Sequence, residues 1–275
     1  MSIDRKRGKL STAADILEAD IFGLDTTSPD DFRQCVREIA KSCDILVAAG
    51  GDGTFSDVIN AVDTKNHITA YLPLGTGNAM KHAISYKGGL TDMAIRIKNG
   101  GINEYDLINC DGKKKAFMAS VGIEADILRI RDKYLTRGSG GLKSYFKATV
   151  ETYFREYKRT NALVNLDGSF FEIKNLLSLM VVKQPYYGFG MNVVPYARFD
   201  DGMLHLLYVN GGLFSTAIAG LTAFAGGNRI GKYFSGGRVD LQLEQSLALQ
   251  IDGNIEWKSD NFNFQVLPGE LKIKC

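Results

Sequence analysis

Five residues, Gly50-Gly51-Asp52-Gly53-Thr54, follow the apolar run 45–49 and precede a segment of helical spacing. A second glycine-rich turn, Pro73-Leu74-Gly75-Thr76-Gly77-Asn78, closes the next apolar run and again precedes a helical segment. A turn of this kind between strand and helix exposes bare backbone N–H groups and a helix N-terminus, which is what a polyphosphate needs. Gly50, Gly51 and Gly53 can take positive φ and let an anion approach the backbone. Thr54 and Thr76 bring hydroxyls, and Asn78 an amide that is also a good N-cap. Asp52 is the unusual member. A carboxylate beside phosphates is repulsive unless it takes up a substrate proton or holds Mg²⁺, directly or through water. The plain alternative is an ordinary strand-to-helix turn with a capping Asp; a second turn of the same kind argues against it.

The elements that must position these residues are legible from periodicity. Ser28-Pro29-Asp30-Asp31 reads as a helix start, with a cap, a proline at the first helical position and acids at the positive end of the dipole. Phe32, Cys35, Val36, Ile39 and Ala40 then share a helical face. The run 44–49 reads as a strand buried on both faces. Phe55, Val58, Ile59 and Val62 predict the next helix, 68–74 the next strand, and 78–85 and 91–98 two short helices. This alternation predicts a doubly wound, Rossmann-like α/β domain over residues 1–101.

After Gly100-Gly101 the pattern changes to short apolar segments: 105–110, 116–121, 162–166, 176–182, 203–209, 239–243, 247–251 and 262–267. Asp111-Gly112, Asp167-Gly168 and Asp252-Gly253 read as hairpin turns. Residues 102–275 are therefore expected to form an all-β sandwich, whose last strand could return to the first domain. Two helical excursions, 142–157 and 213–224, interrupt it. No internal repeat is visible.

Composition bounds the function. The chain has 275 residues, 45% hydrophobic, long enough for two domains with sizeable cores. Its 33 basic and 31 acidic residues leave a net charge of +2, without the basic excess of a nucleic-acid binder. Cys35, Cys43, Cys110 and Cys275 show neither CxxC pairing nor metal-ligand spacing, and read as reduced thiols in a cytoplasmic protein. The first ten residues are polar and basic, unlike a signal peptide, and no apolar run is long enough to cross a membrane. His67, His82 and His205 are isolated, and neither a GxSxG elbow nor an HExxH pair occurs.

Taken in order, GGDGT after a strand, P-x-GTGN, Tyr187-Gly188-Phe189-Gly190-Met191 leading into the 195–204 segment PYARFDDGML, and Ile251-Asp252-Gly253 resemble the diacylglycerol kinase catalytic-domain family, which includes bacterial lipid kinases and sphingosine kinases. GGDG alone also occurs in NAD kinases and phosphofructokinases. The resemblance runs from about Thr26 to the C-terminus. It implies an NAD kinase/diacylglycerol kinase-like fold, with ATP and a lipid alcohol meeting between the domains. It implies nucleotide contacts from Thr26, Gly51, Asp52, Gly53, Thr54 and Thr76, to which the two turns themselves add Gly50, Gly75 and Asn78. It also implies a structural Mg²⁺ held by the Asp201 carboxylate and the carbonyls of Arg198 and Met203, in a segment that reads equally as a tight turn.

Two departures from the family stand out. The usual first strand ending in Asn-Pro is absent, and residues 1–10 look like the region just downstream of it, as a truncated first strand or a misassigned start would leave. The usual Asp-Gly-Glu, whose glutamate is a proposed general base, reads Asp252-Gly253-Asn254. Asp252, Asp52 and Glu256 are then the carboxylates left to act.

The expectation is an ATP- and Mg²⁺-dependent lipid kinase, with diacylglycerol as default acceptor, cytoplasmic and peripherally membrane-associated. Its expected partners are a lipid substrate and a transiently contacted membrane surface; nucleic acid is excluded and a homodimer is left open. The alternatives are an NAD kinase-like enzyme acting on a soluble substrate and a homologue with impaired catalysis that still binds nucleotide or lipid. The aromatic stripe of 142–157 reads first as packing and second as a lipid-chain pocket. The basic stretch 129–141 reads first as a solvated mobile loop and second as a headgroup contact. The 213–224 helix reads as a core or partner contact before a membrane one.

Overall fold

The computed structural model describes residues 3–136, 141–157 and 159–275. Its elements in chain order are α1 (Ile3–Leu17), α2 (Pro29–Ile39), β1 (Ile45–Gly50), α3 (Asp52–Ala61), β2 (Ile68–Pro73), α4 (Ala79–Ala83), α5 (Leu90–Asn99), β3 (Ile102–Cys110), β4 (Lys114–Ala116), β5 (Met118–Gly122), α6 (Ile123–Thr136), α7 (Gly141–Glu151), β6 (Thr160–Leu166), β7 (Ser169–Leu176), β8 (Ser178–Val182), β9 (Tyr186–Tyr187), β10 (Met191–Asn192), β11 (Leu204–Val209), α8 (Leu213–Phe224), β12 (Lys232–Gly236), β13 (Arg238–Ile251) and β14 (Asn254–Lys274). The chain divides into two compact units, Met1–Asp106 with Gly269–Cys275, and Leu107–Pro268.

The first unit is α/β. β1 and β2 run parallel in the register Ile45↔Ile68 to Gly50↔Pro73, and the end of β14 joins β2 in parallel at Lys272↔Ile68 and Ile273↔Thr69. Parallel strands need a crossover between them, and α3 supplies it. α2 begins as its sequence predicts: the Ser28 hydroxyl accepts the N–H of Asp31 at 3.1 Å, with Pro29 at the first helical position. α1, which periodicity does not predict, docks on α5. The returning strand is tied down by polar contacts of its own unit. Thr64 donates to buried Glu270, and the N–H of Gly269 to Asp106.

The second unit is antiparallel. β13 carries both halves of its core. At Val239–Leu243 it pairs with β6, and at Leu249–Ile251 with β5. Register shifts between Gln242 and Leu247 and between Ala248 and Gln250 separate the two pairings. Such irregularities bend a strand and raise its twist, so one strand serves two sheet faces. Residues 239–243 and 247–251, expected as separate strands, belong to one strand interrupted by this irregularity. Between the faces lie Val164, Val181, Leu206, Leu241, Leu249, Phe262 and Phe264, all buried. The Asp-Gly turns are hairpins as expected. Asp167 and Gly168 sit at φ 49 and 90, and Asp252 and Gly253 at 47 and 90, the left-handed pairs that a two-residue turn requires.

Two helical expectations change. Residues 129–133, read as part of a basic loop, lie in α6, whose Ile123, Ile127 and Ile130 are buried at helical spacing. Residues 137–140 of that stretch lie outside the described residues. The 142–157 stripe is divided: Ala148, Tyr153 and Tyr157 pack with the isoleucines of α6, whereas Phe146 and Phe154 stand 71% and 64% exposed. β7 and β12 were not anticipated.

Candidate functional site

The two glycine turns meet. The carbonyl of Gly50 accepts the N–H of Leu74 at 2.8 Å and of Gly75 at 3.1 Å. A methyl group built on Gly75 would lie 2.5 Å from the Cα of Gly51, and one on Gly50 would collide with the Thr54 hydroxyl. These glycines are therefore demanded by close approach. The expected positive φ is not used: Gly51 sits at φ −92, and Gly50, Gly53 and Gly75 are not left-handed.

Beside the contact is a cavity of about 410 Å³ lined by Arg7, Leu10, Leu24, Ala49, Gly50, Gly51, Thr54, Leu74 and Gly75. That volume lies within the roughly 300–1,000 Å³ usual for small-molecule sites. Its lining combines a glycine floor, one hydroxyl, one guanidinium and four apolar side chains, a composition suited to a phosphate chain carrying a flat, largely apolar base. Gly51 is the N-cap of α3, whose first-turn N–H groups have no intrahelical acceptor.

Of the expected nucleotide residues, Gly50, Gly51, Thr54 and Gly75 line this cavity. Asp52 and Gly53 form the first turn of α3 just beyond it. Thr76 is exposed on the second turn. Thr26 lies outside the lining, its hydroxyl donating to the carbonyl of Gly23 at 2.9 Å.

Asp52 takes the capping part expected of Asn78. Asn78 sits at φ 47 and makes no side-chain cap on α4. Its amide donates to the Gly75 carbonyl at 2.8 Å, and its oxygen accepts the Tyr71 hydroxyl at 3.1 Å. The cap on α4 comes from the other turn: Asp52 accepts the N–H of Ala79 at 2.9 Å and of Met80 at 3.0 Å, with the Tyr71 hydroxyl 3.5 Å away. Those backbone dipoles offset the carboxylate's charge and make its place beside an anion site tolerable. Burial, then the neighbouring Asp52 charge, pushes the Tyr71 hydroxyl up, so it remains a proton donor. Asp52 thus ties the two turns together, whatever else it does.

The other two candidate carboxylates lie in the second unit. Asp252, nearly buried in its hairpin, accepts the N–H groups of Phe117 and Met118 at 3.1 and 3.0 Å. Glu256 is ion-paired with Lys114. Asn254 is exposed. Each carboxylate therefore has a structural partner that a catalytic reading must displace or share.

Two of the three expected Mg²⁺ ligands, the Asp201 carboxylate and the Met203 carbonyl, hold a different cation. Lys183, fully buried, donates its Nζ to Asp201 Oδ1 at 2.8 Å and to the Met203 carbonyl at 2.5 Å. Burial alone would raise the Asp201 pKa; the Lys183 bond and charge, with His205, outweigh it and hold the carboxyl below its usual value. Arg198 contributes its N–H to His205 Nε2, 3.1 Å away. With the ammonium between these two oxygens, the residues present do not fit a divalent ion here. Sequence reasoning missed Lys183, Tyr71, Arg7 and the place of His205. Only Lys183 left a trace, as a lone cation ending the apolar strand SLMVV.

Known families match both units of the chain. Residues 5–110 match the diacylglycerol kinase catalytic domain, and residues 118–275 the YegS C-terminal NAD kinase beta sandwich-like domain. The chain is 23% identical over 236 residues to "Diacylglycerol kinase" of Bacillus subtilis (strain 168), covering 83% of this chain and 77% of the relative. It is 27% identical over 258 residues to "Probable lipid kinase YegS-like" of Pseudomonas savastanoi pv. phaseolicola (strain 1448A / Race 6), covering 90% and 81%. A crystal structure of a diacylglycerol kinase from Bacillus anthracis str. Sterne superposes with a TM-score of 0.74 at 16% identity, over 98% of this chain and 90% of that one. An NAD kinase from Archaeoglobus fulgidus in complex with ATP shares the fold more loosely, with a TM-score of 0.52 at 9% identity, over 100% and 90% of the two chains. The chain belongs to the diacylglycerol kinase and YegS-like lipid kinase family.

Proposed function

We propose that this protein transfers the γ-phosphoryl group of MgATP to the hydroxyl of a lipid alcohol, with diacylglycerol the first acceptor to test. The observation that carries the reading is the close packing of two glycine turns beside one cavity that also holds Arg7. Phosphoryl transfer proceeds through a loose transition state in most analyses, so positioning and neutralised charge matter more than a strong base. In this reading the first-turn N–H groups of α3, Thr54 and Arg7 hold the phosphates, and Asp52 keeps the turns in register. Asn254 offers no carboxylate to receive the acceptor's proton, which favours slow turnover.

Two features of the second unit support a lipid acceptor. Phe146, Val150 and Phe154, on α7 and the helical turn after it, line a cavity of about 520 Å³ together with Tyr134, Lys147 and Glu151; its apolar members suit an acyl chain and its charged ones the rim. α8 carries no charged residue, and its Phe214 and Leu221 are 80% and 71% exposed. Such a face suits transient contact with a bilayer surface. Among the described residues no helix is long and apolar enough to cross a membrane.

The test is incubation of the full chain with γ-labelled ATP, Mg²⁺ and mixed vesicles carrying diacylglycerol, a sphingoid base or a monoacylglycerol. The reading expects label in a lipid phosphate. Label in NADP, when NAD is the only acceptor that works, would replace it with a soluble-substrate kinase. ATP binding with no labelled product, unchanged by Asn254→Glu, would replace it with a binding protein.

A further inference from the structure

Lys183 is the only charged residue in the stretch 176–184, and it follows the last residue of β8 with its side chain fully buried. Its backbone N–H donates to the Phe117 carbonyl at 2.9 Å, which fixes where the side chain starts. Its ammonium ends between the Asp201 carboxylate and the Met203 carbonyl. The same Asp201 Oδ1 accepts the Met203 N–H at 3.2 Å, and Oδ2 lies 3.1 Å from His205 Nε2. His205 Nδ1 is 2.6 Å from the Tyr233 hydroxyl. The 198–205 segment is thus folded around one internal positive charge. A hard divalent ion takes oxygen ligands at roughly 2.0–2.6 Å. An ion bound to these two oxygens would overlap the ammonium and repel it.

We propose that Lys183 is a built-in cation: it supplies the charge around which the Asp200-Asp201-Gly202 turn folds, and it excludes a divalent metal from that turn. Lysine suits the part because its ammonium is a compact point charge with three donors. Two donors are used on Asp201 and Met203. The pair is charge-neutral, unlike a carboxylate with a divalent ion, so the turn needs no further acid to balance it. The proposal concerns the second unit only and stands whether or not the protein phosphorylates a lipid.

The experiment uses the nucleotide-free full chain. Thermal melting is recorded in millimolar EDTA and in millimolar MgCl₂, and Mn²⁺ binding is followed by electron paramagnetic resonance. For the native chain the expected melting temperatures agree within about 1 °C, with no Mn²⁺ site that Asp201→Asn abolishes. Lys183→Ala, which vacates the point between the two oxygens, is expected to melt roughly 10 °C lower in EDTA. It should recover at least half of that loss in MgCl₂ and gain a Mn²⁺ site. A Mn²⁺ site in the native chain that is lost in Asp201→Asn overturns the proposal. So does a Lys183→Ala chain that folds but ignores Mg²⁺. If Lys183→Ala does not fold, the two native-chain measurements decide the matter alone.

Discussion

The contact between the glycine turns can be spoiled by a single methyl group. In Gly75→Ala the new Cβ would lie 2.5 Å from the Cα of Gly51, 3.2 Å from its nitrogen and 2.7 Å from Asn78 Oδ1. Ordinary contact begins at 3.4 Å, so the turns must part by roughly 1 Å. Overpacking of this size costs about 1–3 kcal/mol of stability. The separation also moves the N–H groups proposed to hold the phosphates, those of one turn relative to those of the other. A displacement of about 1 Å in a positioning element can cost on the order of 100-fold in rate. Gly101→Ala is the control, since no atom lies within 4 Å of the point its methyl group would occupy. Thermal melting, ATP titration and lipid phosphorylation are measured on both variants. The expectation for Gly75→Ala is a folded chain with kcat/KM reduced about 100-fold, and for Gly101→Ala native behaviour. A Gly75→Ala chain within about threefold of native kcat/KM would refute the idea that the two turns act as one rigid cradle.

Three further outcomes follow from the geometry. Asp52→Asn leaves one of the Ala79 and Met80 N–H groups without its oxygen acceptor and should cost about 1–3 kcal/mol in denaturant unfolding, even without nucleotide; an unchanged midpoint would show that the cap carries no weight. Glu124 is buried, which raises its pKa from 4.5 to about 7 against the lowering bond from Ser178, and its Oε2 has no hydrogen-bond partner. The folded state therefore holds this proton more tightly than the unfolded chain. The group's contribution is fully present below about pH 4.5 and is lost as pH rises through 7, a fall of about 3 kcal/mol at 1.36 kcal/mol per pH unit. Glu124→Gln should flatten that slope in unfolding measured from pH 4.5 to 8, and an equal slope in both chains would contradict the assignment. Leu221→Glu on α8 should weaken flotation with lipid vesicles at least fivefold while leaving the melting temperature unchanged, because the side chain is 71% exposed; undiminished flotation would remove α8 from the membrane contact.

Local signals made much of this molecule readable. The GGDGT turn follows a parallel strand, and the Asp-Gly turns need left-handed backbone, so composition alone locates them. The β13–β14 hairpin at Asp252-Gly253 is an example of the second kind. What stayed hidden is tertiary. α1, with a glycine and many charges in IDRKRGKLSTAADIL, has weak amphipathic order and gains its place by docking on α5. In α6 the basic residues 129–133 drew attention from the buried Ile123, Ile127 and Ile130. At the site, residue types were recognised but their tasks were not. Glycine can serve positive φ or close approach, and only the packed backbones show that it is close approach here. A helix cap is normally sought within the same turn, so the Asp52 carboxylate reaching α4 from another loop leaves no local pattern. Lys183 and Asp201 are far apart in sequence, and nothing near either one announces the other.

Amide hydrogen exchange of the full chain with and without saturating MgATP tests the central claim most directly. The turns at 50–56 and 74–80 should exchange measurably more slowly with nucleotide bound, and the protection should be lost in Gly75→Ala. Exchange in both segments that MgATP leaves unchanged, while the nucleotide is demonstrably bound, would show that the phosphates are held elsewhere.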